Sequence, residues 1–235
     1  MVESKLNNIL EGIRGASIMA ASLLTPFLHG RRRRWGATED ELRRSWPSDD
    51  LVPHPKGEYM HAITINASAA NIWPWLVQIG QGRGGFYSYE FLENLIGCKM
   101  CNANEIIPEL QILKVGDSIP MHPTMGSPYK VATINPVHSL VLLIREDTKT
   151  GKTFELSDKL PETYQNMSWL FFIEEHDDGT TRLISRSRND WNKSRGNTLF
   201  FGIFGPITLE MDRKMLLGIK KRVEIAGAYY TNDDE

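Results

Sequence analysis

The stretch PITLEMDRKMLLGIKKRVEIA, residues 206–226, decides which fold this chain is predicted to have. Apolar residues recur in it every four positions, at Met211, Met215, Ile219 and Val223. Side chains four apart share one face of an α-helix, and lysines and arginines take the other face here. The pattern therefore predicts an amphipathic helix that lies on a sheet. Pro206 suits the first turn of a helix, so we expect the helix to begin there.

Two predicted hairpins precede this helix and supply the sheet. The first joins residues 129–134 to residues 139–145 across a turn that contains Pro136. The second joins residues 167–175 to residues 181–191 through an Asp-Asp-Gly turn. Consecutive hairpins build an antiparallel sheet, which excludes a doubly wound parallel one. The fold class that follows is α+β.

Shorter elements are predicted ahead of the hairpins. Residues 61–66 alternate apolar and polar side chains, which is typical of a strand. Residues 69–79 predict a helix that becomes regular near Asn71, because Pro74 is tolerated only in a first turn. A second helix is expected over residues 86–96, after a glycine-rich loop, and a strand opens at Ser118.

The chain is expected to have three parts. Residues 1–55 form a helical arm and a linker, residues 56–230 form the domain, and residues 231–235 form an acidic tail. Thr38 precedes three acidic residues, which predicts a short capped helix within the arm. Three prolines then interrupt regular structure before residue 56.

An apolar segment in the arm, residues 16–28, runs into four consecutive arginines at 31–34. It is shorter than the roughly 20 apolar residues of a membrane-spanning helix. Three alternatives stay open: a helix docked on its own domain or on a second copy, a helix lying on a membrane surface, and a nucleic-acid arm. A homo-oligomer or a peripheral membrane contact would use residues 6–35.

Bulk composition excludes several classes of protein. The chain has 235 residues, 41% apolar and 24% charged, with a formal net charge of −2, so no global field attracts nucleic acid. Cys98 and Cys101 are the two cysteines, too few for a disulfide framework, which favours a cytoplasmic setting. A zinc site would need two further ligands at suitable spacing, so no metal and no cofactor are expected.

Four segments carry a resemblance to a known superfamily: RRWGAT at 33–38, WPWLVQIGQGRGGFYSY at 73–89, LENL at 92–95 and MLLGIK at 215–220. Over residues 33–228 the chain resembles the START-like (SRPBCC) superfamily of polyketide cyclases, plant pathogenesis-related proteins and lipid-transfer domains. The resemblance implies a helix-grip fold, a curved antiparallel sheet of about six to seven strands around a long C-terminal helix. It also implies an apolar cavity but no particular reaction, because this superfamily hosts carriers and enzymes alike.

The glycine-rich loop GQGRGG, residues 80–85, formally matches a dinucleotide-binding motif. Its context is wrong, because Pro74 lies where the first buried parallel strand should run and no further βαβ units follow. The alternative is a tight crossing whose glycines allow positive φ. Arg83 within the loop either forms a local salt bridge or presents its planar guanidinium to a ligand anion.

Candidate ligand-binding residues were chosen for size, flexibility or hydrogen-bonding capacity. Aromatic side chains and methionines suit an apolar wall, and glutamine or arginine suits a polar ligand atom. The candidates are Trp75, Gln78, Arg83, Tyr87, Tyr89, Trp169, Met211 and Met215. Each also has an ordinary packing role as its alternative.

No sequence motif of a known catalytic centre is present, and four of the six histidines, at 61, 122, 138 and 176, are scattered. Glu210 and Asp212 are interpreted as favourable charges near the positive end of the last helix dipole. The sequence thus predicts a binder or carrier of a small hydrophobic or amphipathic molecule. Two alternatives are a cyclase- or dehydratase-type enzyme with an acid or base in the cavity, and a membrane-surface or partner-docking protein.

Overall fold

A computed structural model of the protein describes residues 2–192 and 194–230. The predicted acidic tail, 231–235, lies outside the described residues. Within them the chain forms one six-stranded sheet in the order β1-β6-β5-β4-β3-β2, with every neighbouring pair antiparallel. The strands are β1 (Gly57–Ile65), β2 (Ser118–Ile119), β3 (Tyr129–Asn135), β4 (Ser139–Asp147), β5 (Tyr164–Glu175) and β6 (Thr181–Trp191).

Six α-helices accompany the sheet in the described part of the chain. They are α1 (Val2–Leu24), α2 (His29–Arg32), α3 (Glu39–Arg43), α4 (Ala69–Val77), α5 (Glu90–Leu95) and α6 (Arg195–Tyr230). The long α6 contacts β1 and β6, and α4 contacts both α6 and β5. The predicted α+β helix-grip class, with six strands and a long C-terminal helix, is confirmed.

Side chains of β5 alternate between the two faces of the sheet. Trp169 and Phe171 pack in the large core that includes Met215 of α6. Leu170 packs instead in a smaller cluster with Trp46, which lies against the opposite face. Because successive strand residues point to opposite faces, the face that carries Trp169 is the one beneath α6.

The predicted start of the last helix was wrong. The helix α6 begins at Arg195 and continues through Pro206, which lies inside it. A proline within a helix removes one backbone hydrogen bond and usually costs stability. Here the segment before Pro206 has a tertiary anchor, because the ring of Phe201 stacks on Trp191 with centroids 3.8 Å apart.

The helices around the glycine loop also differ from expectation. The helix α4 is regular from Ala69 and contains Pro74, and α5 covers only residues 90–95 of the predicted 86–96. Tyr87 explains the shortened helix, because its φ of 56° is left-handed and its backbone N–H donates to Asn102 Oδ1 at 2.7 Å. The predicted strand near 118 shrinks to two residues.

A glycine allows α6 to pass close to this non-helical segment. A Cβ built on Gly218 would lie 2.2 Å from the carbonyl oxygen of Tyr87, well inside contact distance. Any other residue would push α6 away from the segment. The glycine therefore fixes how closely the helix approaches the residues that precede α5.

The N-terminal arm packs on its own domain. Gly12 and Gly15 of α1 face the rings of Phe91 and Tyr89, with no space for a side chain at either glycine. Glu11 adds an ion pair to Lys214 of α6 at 2.9 Å. Among the described helices, none combines the length and the apolar character that crossing a membrane requires.

The arm also covers an edge of the sheet. The backbone N–H groups of Met60 and Ala62 on β1 donate to the carbonyl oxygens of Arg33 and Trp35. Those donors would otherwise form an open strand edge. The short capped helix predicted after Thr38 is present as α3, and its cap is a capping box formed with Glu41.

Candidate functional site

A cavity of about 290 Å³ lies between α6 and the sheet. Its wall is mainly apolar and draws on the strands, on α6 and on the segment before α5. Phe86, Tyr129, Met167, Trp169, Met211 and Met215 supply much of that wall. The rings of Phe86 and Trp169 stack with centroids 6.0 Å apart, so they present a flat aromatic surface.

Asp212 of α6 contributes a buried carboxylate to the wall. Its Oδ2 lies 2.8 Å from Nδ1 of His61 on β1. Its Oδ1 accepts from the hydroxyl of Ser185 at 2.6 Å and from the hydroxyl of Tyr59 at 3.3 Å. Ser185 in turn accepts from Nε1 of Trp169 at 2.9 Å. These contacts bond both oxygens of the carboxylate to the sheet.

The other ring nitrogen of His61, Nε2, lies 2.8 Å from the carbonyl oxygen of Arg32. A carbonyl only accepts, so Nε2 carries a hydrogen. One further proton lies between Nδ1 and Asp212 Oδ2, and the pair as a whole has no net charge. A buried pair of this kind avoids the free-energy cost of an isolated buried charge. Asp212 therefore has its partner, His61, within the fold.

Two phenols border the same region. Burial, and then the charge of Asp212, raise the pKa of Tyr59 well above its usual value. The same two causes, in the same order, raise the pKa of Tyr129. Both hydroxyls therefore stay protonated at any physiological pH, and that of Tyr59 donates to Asp212.

Glu93 of α5 is the second buried carboxyl on the wall, with 6% of the residue exposed. In contrast to Asp212, its buried Oε2 has no hydrogen-bond partner among the described residues. Burial, and then repulsion from Glu90, raise the pKa of Glu93 to about 7. The group consequently changes charge near neutral pH.

Exposed aromatic and basic side chains mark the cavity mouth. Phe200 and Phe204 of α6 line the cavity and are about half exposed. His29 and Arg33 of the arm line it from the other side. Burial, and then the charges of Arg33 and Arg32, lower the pKa of His29.

Three of the eight candidate residues, Trp169, Met211 and Met215, lie on the cavity wall. Trp75 does not, and it lines instead a second cavity, larger at about 790 Å³ and more polar, between α4 and the end of α6. Tyr89 lies beneath α1, where its hydroxyl donates to Glu210 at 3.2 Å, and burial raises its pKa to about 12.

The remaining three candidates hold backbone together outside this wall. The guanidinium of Arg83 donates to the carbonyl oxygens of Ile79, Val77 and Leu110. Gln78 spans the backbone of Glu105 and Ile107. The hydroxyl of Tyr87 donates to the carbonyl oxygen of Trp75 at 3.1 Å.

Sequence reasoning missed the polar members of the wall. Asp212 lies three residues before Met215 and seven residues before Ile219 in α6. Residues at these spacings share one face of a helix, so the sequence could have placed Asp212 on the buried face. Glu93 lies within the helix predicted over residues 86–96, but the sequence pattern assigned it no role. His61 had no local signal, because its partner is 151 residues away.

Comparisons with known proteins concern the fold only. No family model matches the chain, and no curated protein matches it. A conserved protein from Geobacillus kaustophilus is similar in structure, at 13% identity and a TM-score of 0.39, covering 72% of this chain and 97% of that one.

Truncated norcoclaurine synthase from Thalictrum flavum is similar at 18% identity and a TM-score of 0.39, over 71% of this chain and 92% of that one. The Aha1 dimer from Colwellia psychrerythraea is similar at 16% identity and a TM-score of 0.36, over 72% and 97%. The assignment of the chain itself follows from its strand order and from α6. The protein has a START-like helix-grip fold.

Proposed function

We propose that the protein binds a small apolar or amphipathic molecule in the cavity between α6 and the sheet. The observation that carries this proposal is the unfilled space of about 290 Å³ with a largely apolar wall. Protein interiors are normally packed with few voids larger than a water molecule. Burial of apolar ligand surface contributes about 25 cal/mol per Å² to the binding free energy, before the cost of ordering the ligand and the side chains. A small apolar molecule can therefore be held in this cavity.

The size and chemistry of the space limit the ligand. Ligand pockets are commonly about 300–1,000 Å³, so this cavity suits a ligand at the small end of that range. Met211 and Met215 are flexible enough to adapt to an irregular apolar shape. The ring surface of Phe86 and Trp169 suits an aromatic or flat portion of the ligand.

The test compares two methionine-to-arginine variants. Met215 is 1% exposed on the wall, whereas Met125 is 58% exposed on the surface. We expect wild type and Met125→Arg to take up the uncharged fluorescent probe N-phenyl-1-naphthylamine and to keep any co-purified molecule in native mass spectrometry. Met215→Arg should lose both while circular dichroism still shows a folded domain. Absence of uptake in wild type, or equal uptake in all three proteins, would reject the proposal.

One observation favours a membrane surface as the place where the ligand is collected. Leu24 and Phe27 of the arm are 81% and 80% exposed close in sequence to the mouth residue His29. Arg31, Arg33 and Arg34 follow them closely in sequence and are also exposed. Within the described chain, Arg31, Arg33 and Arg34 have no acidic partner, whereas Arg32 bonds the backbone of Ser22 and Thr25.

Exposed apolar side chains next to unpaired arginines match the chemistry of an anionic bilayer. We expect the protein to float with vesicles of phosphatidylcholine and phosphatidylglycerol, less so at high salt, and not with phosphatidylcholine alone. Phe27→Glu should abolish flotation, and Ile112→Glu, at a residue 73% exposed elsewhere, should not. Equal flotation of the two variants would contradict this surface.

The raised pKa of Glu93 favours one enzymatic alternative, a cyclase- or dehydratase-type reaction. A carboxyl that titrates near neutrality suits general acid–base catalysis. Such a group would exchange protons with its ligand. Incubation of the co-purified molecule with protein in D₂O should then place deuterium on carbon with wild type and not with Glu93→Gln, whereas simple carriage predicts no exchange with either protein.

A further inference from the structure

Glu93 has no counter-charge among the residues whose side chains are described. It forms no ion pair with any residue whose side chain the structure describes, and Glu90 is the charged neighbour that raises its pKa. Burial of a polar group without a partner costs free energy that a matched group would recover. The cavity wall therefore contains a carboxyl whose missing partner must come from elsewhere.

Three cations of α6 are already bonded to other groups, whereas Arg14 of α1 and Lys99 are exposed at the surface. Lys214 of α6 pairs with Glu11 of α1, and Arg213 pairs with Glu210. Arg222 donates to backbone oxygens at Ala103 and Gly218. Farther along the wall, Asp212 and His61 satisfy each other, as described above.

The other titratable groups facing Glu93 do not supply a positive charge. Glu90 accepts from the backbone N–H of Asn102 and adds a second negative charge. The buried thiol of Cys98 has its pKa raised, first by burial and then by Glu93 itself, so it stays neutral. The local field around Glu93 thus favours a cation.

We propose that the ligand carries a basic nitrogen, and that its ammonium group pairs with Glu93 while its apolar part lies against Phe86, Trp169 and the methionines. This inference rests on the proposed ligand-binding function and names the head group of that ligand. An ammonium group supplies the counter-charge that the carboxyl of Glu93 lacks, and aromatic faces attract cations. An anionic head group would meet Glu93 and Glu90 as like charges.

Three probes with one apolar body separate the head groups: 4-phenylbutylamine, 4-phenylbutan-1-ol and 4-phenylbutyrate. At pH 8, isothermal titration calorimetry of wild type should show the amine binding at least about tenfold more tightly than the alcohol, and the butyrate binding most weakly. Glu93→Gln should bind the alcohol as wild type does and lose the preference for the amine. Glu109→Gln, at an exposed glutamate, should behave as wild type.

The pH profile gives a second readout. Affinity for the amine should rise from pH 6 to pH 8 in wild type, since Glu93 must lose its proton while the amine, with a pKa near 10 as in lysine, keeps its own. Glu93→Gln should show no such rise. Glu90→Gln should move the midpoint to lower pH, because it removes the neighbouring negative charge that raises the pKa of Glu93.

The outcomes are distinguishable. If the alcohol binds wild type as tightly as the amine does, or if Glu93→Gln keeps the preference, the ammonium inference is overturned and the proposed binding function stands. If none of the three probes binds, the proposed function fails and the inference fails with it. Should Glu93→Gln not fold, the midpoint shift in Glu90→Gln decides the matter alone.

Discussion

Asp212 and Glu93 are both buried carboxyls on one cavity wall, and they differ in what surrounds them. Asp212 has partners from two strands on both of its oxygens. Glu93 has a buried oxygen with no partner in the described chain. The difference teaches that burial alone does not identify a ligand-binding group. The hydrogen bonds of the carboxyl do, because a carboxyl with partners on both oxygens belongs to the fold, and one with an unpartnered oxygen can accept a ligand.

Removal of the Asp212 carboxyl, which has partners on both oxygens, should have the largest effect on stability. In Asp212→Ala the donors on His61, Ser185 and Tyr59 lose their acceptor inside the protein. We expect the free energy of unfolding to fall by roughly 3–5 kcal/mol, as measured by urea denaturation.

Asp212→Asn is the matched control for that substitution. Its amide oxygen can still accept from Ser185 and Tyr59, and its NH₂ group can donate to Nδ1 of a neutral His61, so most of the loss should be avoided. If alanine and asparagine destabilise the protein equally, the hydrogen bonds are not what makes Asp212 structural.

Glu93, whose buried oxygen has no partner in the described chain, should make the free energy of unfolding depend on pH. The pKa of Glu93 is raised from 4.5 to about 7, so the folded state holds this proton more tightly than the unfolded state does. Its contribution to stability is fully present below pH 4.5 and is lost as the pH rises through 7. The loss is roughly 3 kcal/mol for a shift of this size.

Glu93→Gln lacks this titration. Its stability relative to wild type should therefore improve by roughly 3 kcal/mol between pH 4 and pH 8 in urea denaturation, which reports the free energy of unfolding. Glu109→Gln, on the surface, should follow wild type at every pH. A constant difference between Glu93→Gln and wild type would show that Glu93 titrates as an ordinary glutamate.

The sequence predicted those parts of the molecule whose signals are local. The bounds of β6 agree with the prediction, because alternation along the strand and an Asp-Asp-Gly turn before it are both visible in the sequence. The start of α6 was not predictable, since Pro206 normally opens a helix. What keeps the earlier residues helical includes a ring contact between Phe201 and Trp191.

The site was less predictable than the fold for the same reason. Met211 and Met215 were found from helical spacing, which is a local signal. Arg83 was left open between a local salt bridge and a ligand anion, and the carbonyl groups to which it donates are brought together only by the folded loop. The pairing of His61 with Asp212 joins residues far apart in the chain, so no pattern within either segment could reveal it.

The smallest expected effect tests how much the weaker of the two hydrogen bonds to Asp212 Oδ1 contributes to stability. Tyr59→Phe removes a hydroxyl that donates to Asp212 Oδ1 at 3.3 Å, while Ser185 keeps its shorter bond of 2.6 Å to the same oxygen. The free energy of unfolding should fall by only about 0.5–1.5 kcal/mol in urea denaturation, the usual worth of one hydrogen bond. Because the raised pKa keeps the phenol protonated, this loss should be the same at pH 6 and pH 8. A loss as large as that of Asp212→Ala would mean that Tyr59, rather than the carboxylate, organises the region.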